Sequence, residues 1–247
     1  MVVLEIDAGN TFVKWRIRCQ GRPQAVQRWL TQDVREGRVL LPEDWSGVQQ
    51  VRWVSVAGDK VDHWLQTAFQ ALAVPVVRAV ARDQQSGLKN AYQNPRQMGA
   101  DRWLAMLAVW QQLQDAFCVI DVGSAVTVDL VDRQGRHLGG YILPGLRLLQ
   151  QSLLGQTAGV RWQTTETDGS LVPGDSTAAC VENGCRYQMA ALLQYVEQDC
   201  RARNIRHIWL TGGDASRVAS WCPQAMLQET LVLDGLQGLE QDLCGAG

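Results

Sequence analysis

Two runs in this chain set an aspartate two positions before a glycine at the end of an apolar stretch. The first is Leu4-Glu5-Ile6-Asp7-Ala8-Gly9-Asn10-Thr11, and the second is Val119-Ile120-Asp121-Val122-Gly123-Ser124-Ala125-Val126-Thr127. Each leads into a second strand-like run, Phe12-Val13-Lys14-Trp15-Arg16-Ile17 and Val128-Asp129-Leu130-Val131. A strand, tight turn and strand with an acid at the tip can bring backbone N–H groups and a carboxylate beside phosphates and a metal ion. Gly9 permits close approach of a phosphate to the backbone. Asn10 and Thr11 add donors, and Asp7 suits Mg²⁺ directly or through water. Lys14 either reaches a phosphate oxygen or is an exposed hairpin charge. Alone, such a motif is also an ordinary β-turn composition. Its recurrence 114 positions later (121 minus 7) points to two similar lobes facing one nucleotide.

Two further clusters carry chemistry. Thr211-Gly212-Gly213-Asp214 follows an apolar run, and a Gly-Gly there can pass under an adenosine. Met98-Gly99-Ala100-Asp101-Arg102 opens a helical pattern. A helix N-terminus offers N–H groups to an anion, an aspartate there can accept a hydroxyl proton, and a guanidinium can fork onto a carboxylate. Aspartate is equally at home in a first helical turn without any chemistry. No GxxxxGK[ST] occurs, which excludes a P-loop kinase.

The elements that must position these residues follow from periodicity. Residues 2–7 and 12–18 predict a strand hairpin, residues 23–30 a third strand, and residues 31–39 a short helix with Thr31 as N-cap. Residues 51–56 alternate as a strand, and 59–72 carry a helical apolar stripe of Val61, Trp64, Leu65, Ala68, Phe69 and Leu72. A strand is expected over 75–80, a polar functional loop over 81–98, and a strong helix from about 100 to 114. The second lobe repeats the plan from Phe117, with a hairpin turn at Gly135 and a helix over 146–154. A mobile loop over 155–174, a long helix over 175–203, a strand over 206–210, a helix near 215–221, a strand near 230–233 and a terminal helix complete the expectation. The fold class is α/β, with two ribonuclease-H-like lobes, 1–115 and 116–247, each holding a mixed five-stranded sheet, and a nucleotide in the cleft between them.

Bulk properties narrow the function. The 247 residues carry a net charge of −2 and no Lys/Arg run, so the footprint of a nucleic-acid binder is missing. No apolar stretch is long enough to span a membrane and no signal pattern precedes the first strand, so a cytoplasmic location is expected. Seven cysteines (19, 118, 180, 185, 200, 222 and 244) show no CxxC spacing and read as reduced thiols, many of them in the core. The histidines at 63, 137 and 207 show no paired-ligand spacing, which argues against a zinc enzyme.

The two Asp-x-Gly runs with the Gly-Gly run resemble the superfamily of acetate and sugar kinases, actin and related chaperone ATPases. Adding Gly99-Ala100-Asp101-Arg102 and Gly139-Gly140-Tyr141-Ile142-Leu143-Pro144-Gly145, the chain closely resembles type III pantothenate kinase over essentially its whole length. That resemblance implies ATP-dependent phosphorylation of pantothenate to 4′-phosphopantothenate, the first step of coenzyme A biosynthesis. It implies that Asp101 is the general base. It assigns Tyr92, Gly99, Ala100, Asp101, Arg102 and Thr177 to pantothenate binding, Thr177 serving the partner subunit's pocket. ATP falls to Asp7, Ala8, Gly9, Asn10, Thr11, Phe12, Val13, Lys14, Ser124, Gly212 and Gly213. Ser124 stands where the family more often has threonine, and keeps the hydroxyl. Asp121 is implied as ligand of a monovalent cation, K⁺ or NH₄⁺, with Mg²⁺ accompanying ATP near Asp7. A homodimer is implied, with the 99–115 helix (Trp103, Leu104, Leu107 and Trp110) and the region of Thr177 at its interface. The alternatives are a non-enzymatic transcription accessory factor of the same family and a kinase of another small hydroxyl substrate. The intact Asp7, Asp101, Arg102 and Asp121 favour the kinase.

Overall fold

The structure, a computed structural model, describes residues 1–156 and 171–239. In chain order the first elements are β1 (Val2–Ala8), β2 (Phe12–Cys19), β3 (Arg22–Pro23), β4 (Gln27–Leu30), α1 (Thr31–Arg35), β5 (Gln50–Ser55), α2 (Asp59–Leu72) and β6 (Val76–Arg78). A small hairpin follows, β7 (Gln84–Gln85) and β8 (Leu88–Lys89), and then α3 (Ala100–Leu113). The remaining elements are β9 (Phe117–Val122), β10 (Ala125–Val131), β11 (His137–Pro144), α4 (Leu146–Gln156), α5 (Thr177–Ala202), β12 (His207–Thr211), α6 (Ala215–Val218), β13 (Met226–Leu227) and α7 (Leu231–Gly235).

The chain forms two compact units. One contains Met1–Asp115, Gln134–His137 and the described residues from Thr230, and the other contains Ala116–Arg133 and Leu138–Glu229. The sequence repeat becomes a topological repeat. The first sheet runs β3-β2-β1-β5-β6, and the second runs β11-β10-β9-β12-β13. In each, an antiparallel hairpin (β1 with β2, β9 with β10) lies beside a strand parallel to its first member (β5 or β12). The first sheet has six strands where five were expected, because the run over 23–30 breaks into β3 and β4, which both pair with β2.

In the first unit, period-two alternation separates two faces of the hairpin. Leu4, Ile6, Ala8, Val13, Trp15 and Ile17 share an apolar core with Val61, Leu65 and Phe69 of α2. The opposite face carries charge under full burial. Glu5 has no exposed surface and receives Arg16 Nε at 2.6 Å and Arg18 Nε at 2.8 Å. Arg16 Nη2 also reaches Asp234 Oδ1 of α7 at 2.8 Å. A buried carboxylate needs such partners, since an isolated ion in the interior is very costly.

The structure corrects the expected strand near 230–233, which is helix α7. An apolar run of three, all buried, does not reveal its period, and here Leu231, Val232 and Leu233 pack on α3. That packing also corrects the interface expected on α3. Trp103, Leu104 and Leu107 are at most 1% exposed within the single chain, so they are core of the unit and present no face to a second copy. The second unit packs α5 against its sheet through Met189, Leu193, Val196 and Cys200. The Cys118 thiol is pushed well up by its hydrogen bond to Cys200 and by burial, and burial with a hydrogen bond to Glu197 pushes Cys222 up to about 12. These thiols are therefore protonated core groups. Much of the loop expected over 155–174, Cys244 and any helix beyond 239 lie outside the described residues. Among the described residues no helix is long and apolar enough to cross a membrane.

Candidate functional site

The first Asp-x-Gly run forms the tip of the β1–β2 hairpin. Asp7 faces Lys14 across the hairpin, on the same side of β1 as Glu5. The Gly9 N–H donates to the Phe12 carbonyl at 3.0 Å, closing the turn, and Asn10 is exposed. Thr31 is not the N-cap expected of it; Leu30 holds that position. The Thr31 hydroxyl instead donates to the Gly9 carbonyl at 2.7 Å, and its N–H donates to the Thr11 carbonyl at 3.0 Å. Thr31 thus fixes the turn from behind, a role 22 positions away that periodicity does not reveal.

The Gly99-Ala100-Asp101-Arg102 run makes the first turn of α3, with Gly99 as N-cap. The Arg102 N–H donates to Asp101 Oδ1 at 2.9 Å. A Cβ at position 99 would stand 2.5 Å from that same oxygen, so glycine there leaves room for the Asp101 carboxylate. Arg102 is 7% exposed, and its Nη1 donates to the Tyr92 hydroxyl at 3.0 Å. The Tyr92 N–H is received by Asn90 Oδ1 at 2.9 Å, and Asn90 Nδ2 donates to the Arg82 carbonyl at 3.0 Å. The polar loop before α3 is therefore folded around Asn90, and Tyr92, Gly99, Asp101 and Arg102 form one cluster.

In the second unit Asp121 lies between Thr127 of β10 and Thr211 of β12 in strand register. The Gly123 N–H donates to the Ala125 carbonyl at 2.9 Å, and the Ser124 carbonyl accepts the Gly145 N–H at 3.0 Å. Gly212 has φ of +102°, and a Cβ there would sit 2.4 Å from both Asp121 Oδ1 and the Val122 carbonyl oxygen. Glycine is required on both counts. The Val122 carbonyl accepts the Asp214 N–H at 2.9 Å, so the Gly212 turn is closed against β9 beside the Asp121 carboxylate. Gly213 is exposed, and nothing lies near its missing side chain. Thr177 is the exposed first residue of α5, whose N-cap Ser176 accepts the Ala179 N–H. It borders a cavity of about 750 Å³ lined also by Leu153, Gly174, Cys180, Gly184 and Gln188.

The sequence profile of the type III pantothenate kinases matches residues 3–199. The chain belongs to the type III pantothenate kinase family. It is 40% identical over 237 residues to the type III pantothenate kinase of Marinobacter nauticus, covering 96% of this chain and 97% of that one. It is 36% identical over 244 residues to that of Ectopseudomonas mendocina, covering 95% and 97%. Solved structures share the fold at lower identity. A chain from Campylobacter jejuni named as a Baf family transcriptional activator superposes with a TM-score of 0.61 at 17% identity, covering 99% of both. A Listeria monocytogenes protein named as an N-acetylmannosamine kinase gives 0.55 at 13%, covering 98% of this chain and all of that one. The family membership makes this chain an enzyme, a kinase, on the fold that sugar kinases use.

Proposed function

We propose that the chain transfers the γ-phosphoryl group of ATP to the primary hydroxyl of pantothenate, giving 4′-phosphopantothenate in the first step of coenzyme A biosynthesis. Family membership supports the activity. The observation that supports the site is the cluster at the start of α3, where a carboxylate, a buried guanidinium and a phenol meet at one helix N-terminus.

Phosphoryl transfer asks for positioning and charge stabilisation more than covalent work. Asp101 accepts the proton of the attacking hydroxyl, and its orientation is set by the Arg102 N–H and by the space left at Gly99. Arg102 and Tyr92, already hydrogen-bonded to each other, receive the polar end of the acceptor. The Gly9 turn, braced by Thr31, presents backbone N–H groups to the phosphates, with Lys14 beside it. Ser124, Gly212 and Gly213 serve the nucleotide in the second unit. Asp121 would hold a monovalent cation, K⁺ or NH₄⁺, and Asp7 would hold Mg²⁺ directly or through water. Bound there, these ions neutralise phosphate charge. Among the described residues no three acidic, histidine or cysteine side chains gather as a cage. We further propose a homodimer in which Thr177 completes the partner's acceptor pocket.

Asp101→Asn keeps the shape and removes the base. Turnover with pantothenate should fall by about 10²–10⁴-fold while the melting temperature stays put. A variant that turns over like the unaltered enzyme would take the base role away from Asp101.

A further inference from the structure

The residues Gln134–His137 belong to the first compact unit, although β10 and most of β11 on either side belong to the second. They are held there by backbone. The Lys89 N–H donates to the Gly135 carbonyl at 2.7 Å, and Lys89 forms a parallel bridge with Arg136. Gly135 has φ of +73°, and a Cβ on it would lie 2.6 Å from the Gly87 carbonyl and 2.7 Å from Trp110 Cζ2. Only glycine lets this turn press so close, and the pressing carries His137 inward.

His137 is 4% exposed. Its ring lies nearly parallel to that of Tyr92, at 15° with centroids 6.3 Å apart. Tyr92 is thus held at both ends. Its hydroxyl accepts Arg102 Nη1, and its ring is backed by imidazole. The backbone that carries it follows Lys89, the residue gripped by Gly135.

We propose that His137 is a positioning residue for the phosphoryl acceptor. It backs Tyr92 so that the phenol stays on Arg102 and the acceptor meets Asp101 already oriented. The inference rests on the reading of Tyr92, Asp101 and Arg102 as the acceptor site. Offset parallel rings at such separations attract beyond simple contact, so the ring face should count for more than the volume it fills.

The test is steady-state kinetics on unaltered enzyme and on His137→Ala, His137→Leu and His137→Phe, varying pantothenate and ATP separately, with melting temperatures for each. Removing the ring in the Ala and Leu variants should raise the KM for pantothenate about 3- to 10-fold, the scale of a lost aromatic pair. The KM for ATP should not move, and Phe should restore the pantothenate KM. If Ala fails to fold, the comparison of Leu with Phe decides. Leu and Phe behaving alike, or both KM values rising together, would overturn the proposal and leave His137 as a core residue. The same preparation carries Asp101→Asn as its control. Pantothenate turnover that survives in Asp101→Asn, or is missing from the unaltered enzyme, overturns the underlying reading, and the proposal falls with it.

Discussion

Asp121 and Gly212 show how a single hydrogen atom can matter at the residue scale. A methyl group at 212 would fall on the Asp121 carboxylate and the Val122 carbonyl, and would force an alanine into a left-handed backbone. Gly213, its neighbour, has open space around its missing side chain. Gly212→Ala should therefore cut turnover at least about tenfold and blunt the response to K⁺, since little more than 1.4 kcal/mol of lost transition-state stabilisation suffices. Gly213→Ala should stay close to the unaltered enzyme. Assays of both under varied K⁺ would check this, and equal effects would contradict the cradle. The two Asp-x-Gly tips were legible in the sequence because a strand, turn and strand is built from neighbours. Thr31 and His137 were not. Thr31 reads as a cap because cap and brace use the same hydroxyl, and His137 meets Tyr92 across 45 positions (137 minus 92).

At the scale of elements, strong periodicity read true. The stripe over 59–72 is α2, and α3 ends one residue from where its pattern predicts. The pattern is silent where burial erases the period, as in α7, and where one run divides into two strands on the same neighbour, as in β3 and β4. The fate of α3 bears on assembly. Its apolar stripe is spent on α7 and the sheet, so the proposed dimer must use other surfaces, with the N-terminal end of α5 and Thr177 as the part that remains from the sequence reading. Light scattering at micromolar concentration should give the mass of two chains. A monomer that is fully active would remove Thr177 of the partner subunit from the acceptor pocket.

The whole molecule repeats one plan twice. Each sheet sets a hairpin tip with an acid beside a parallel strand, and the sequence repeat announced this before any geometry was known. What the repeat could not announce is how each copy is specialised. In the first unit the strand face behind Asp7 is an ionic layer of Glu5, Arg16, Arg18 and Asp234. In the second, the same face behind Asp121 carries Val119 and Phe117, both buried, with Asp129 buried opposite Val119. Such differences depend on what covers each sheet, which no local pattern encodes. As a whole, the molecule is proposed to use ATP to phosphorylate pantothenate with the help of a monovalent cation. The most direct measurement is ADP release from MgATP, with and without pantothenate, in K⁺ or NH₄⁺ and then in Na⁺ alone. Release should require pantothenate and be lost or strongly reduced in Na⁺. Folded enzyme that releases no ADP in response to pantothenate in any of these salts would contradict it.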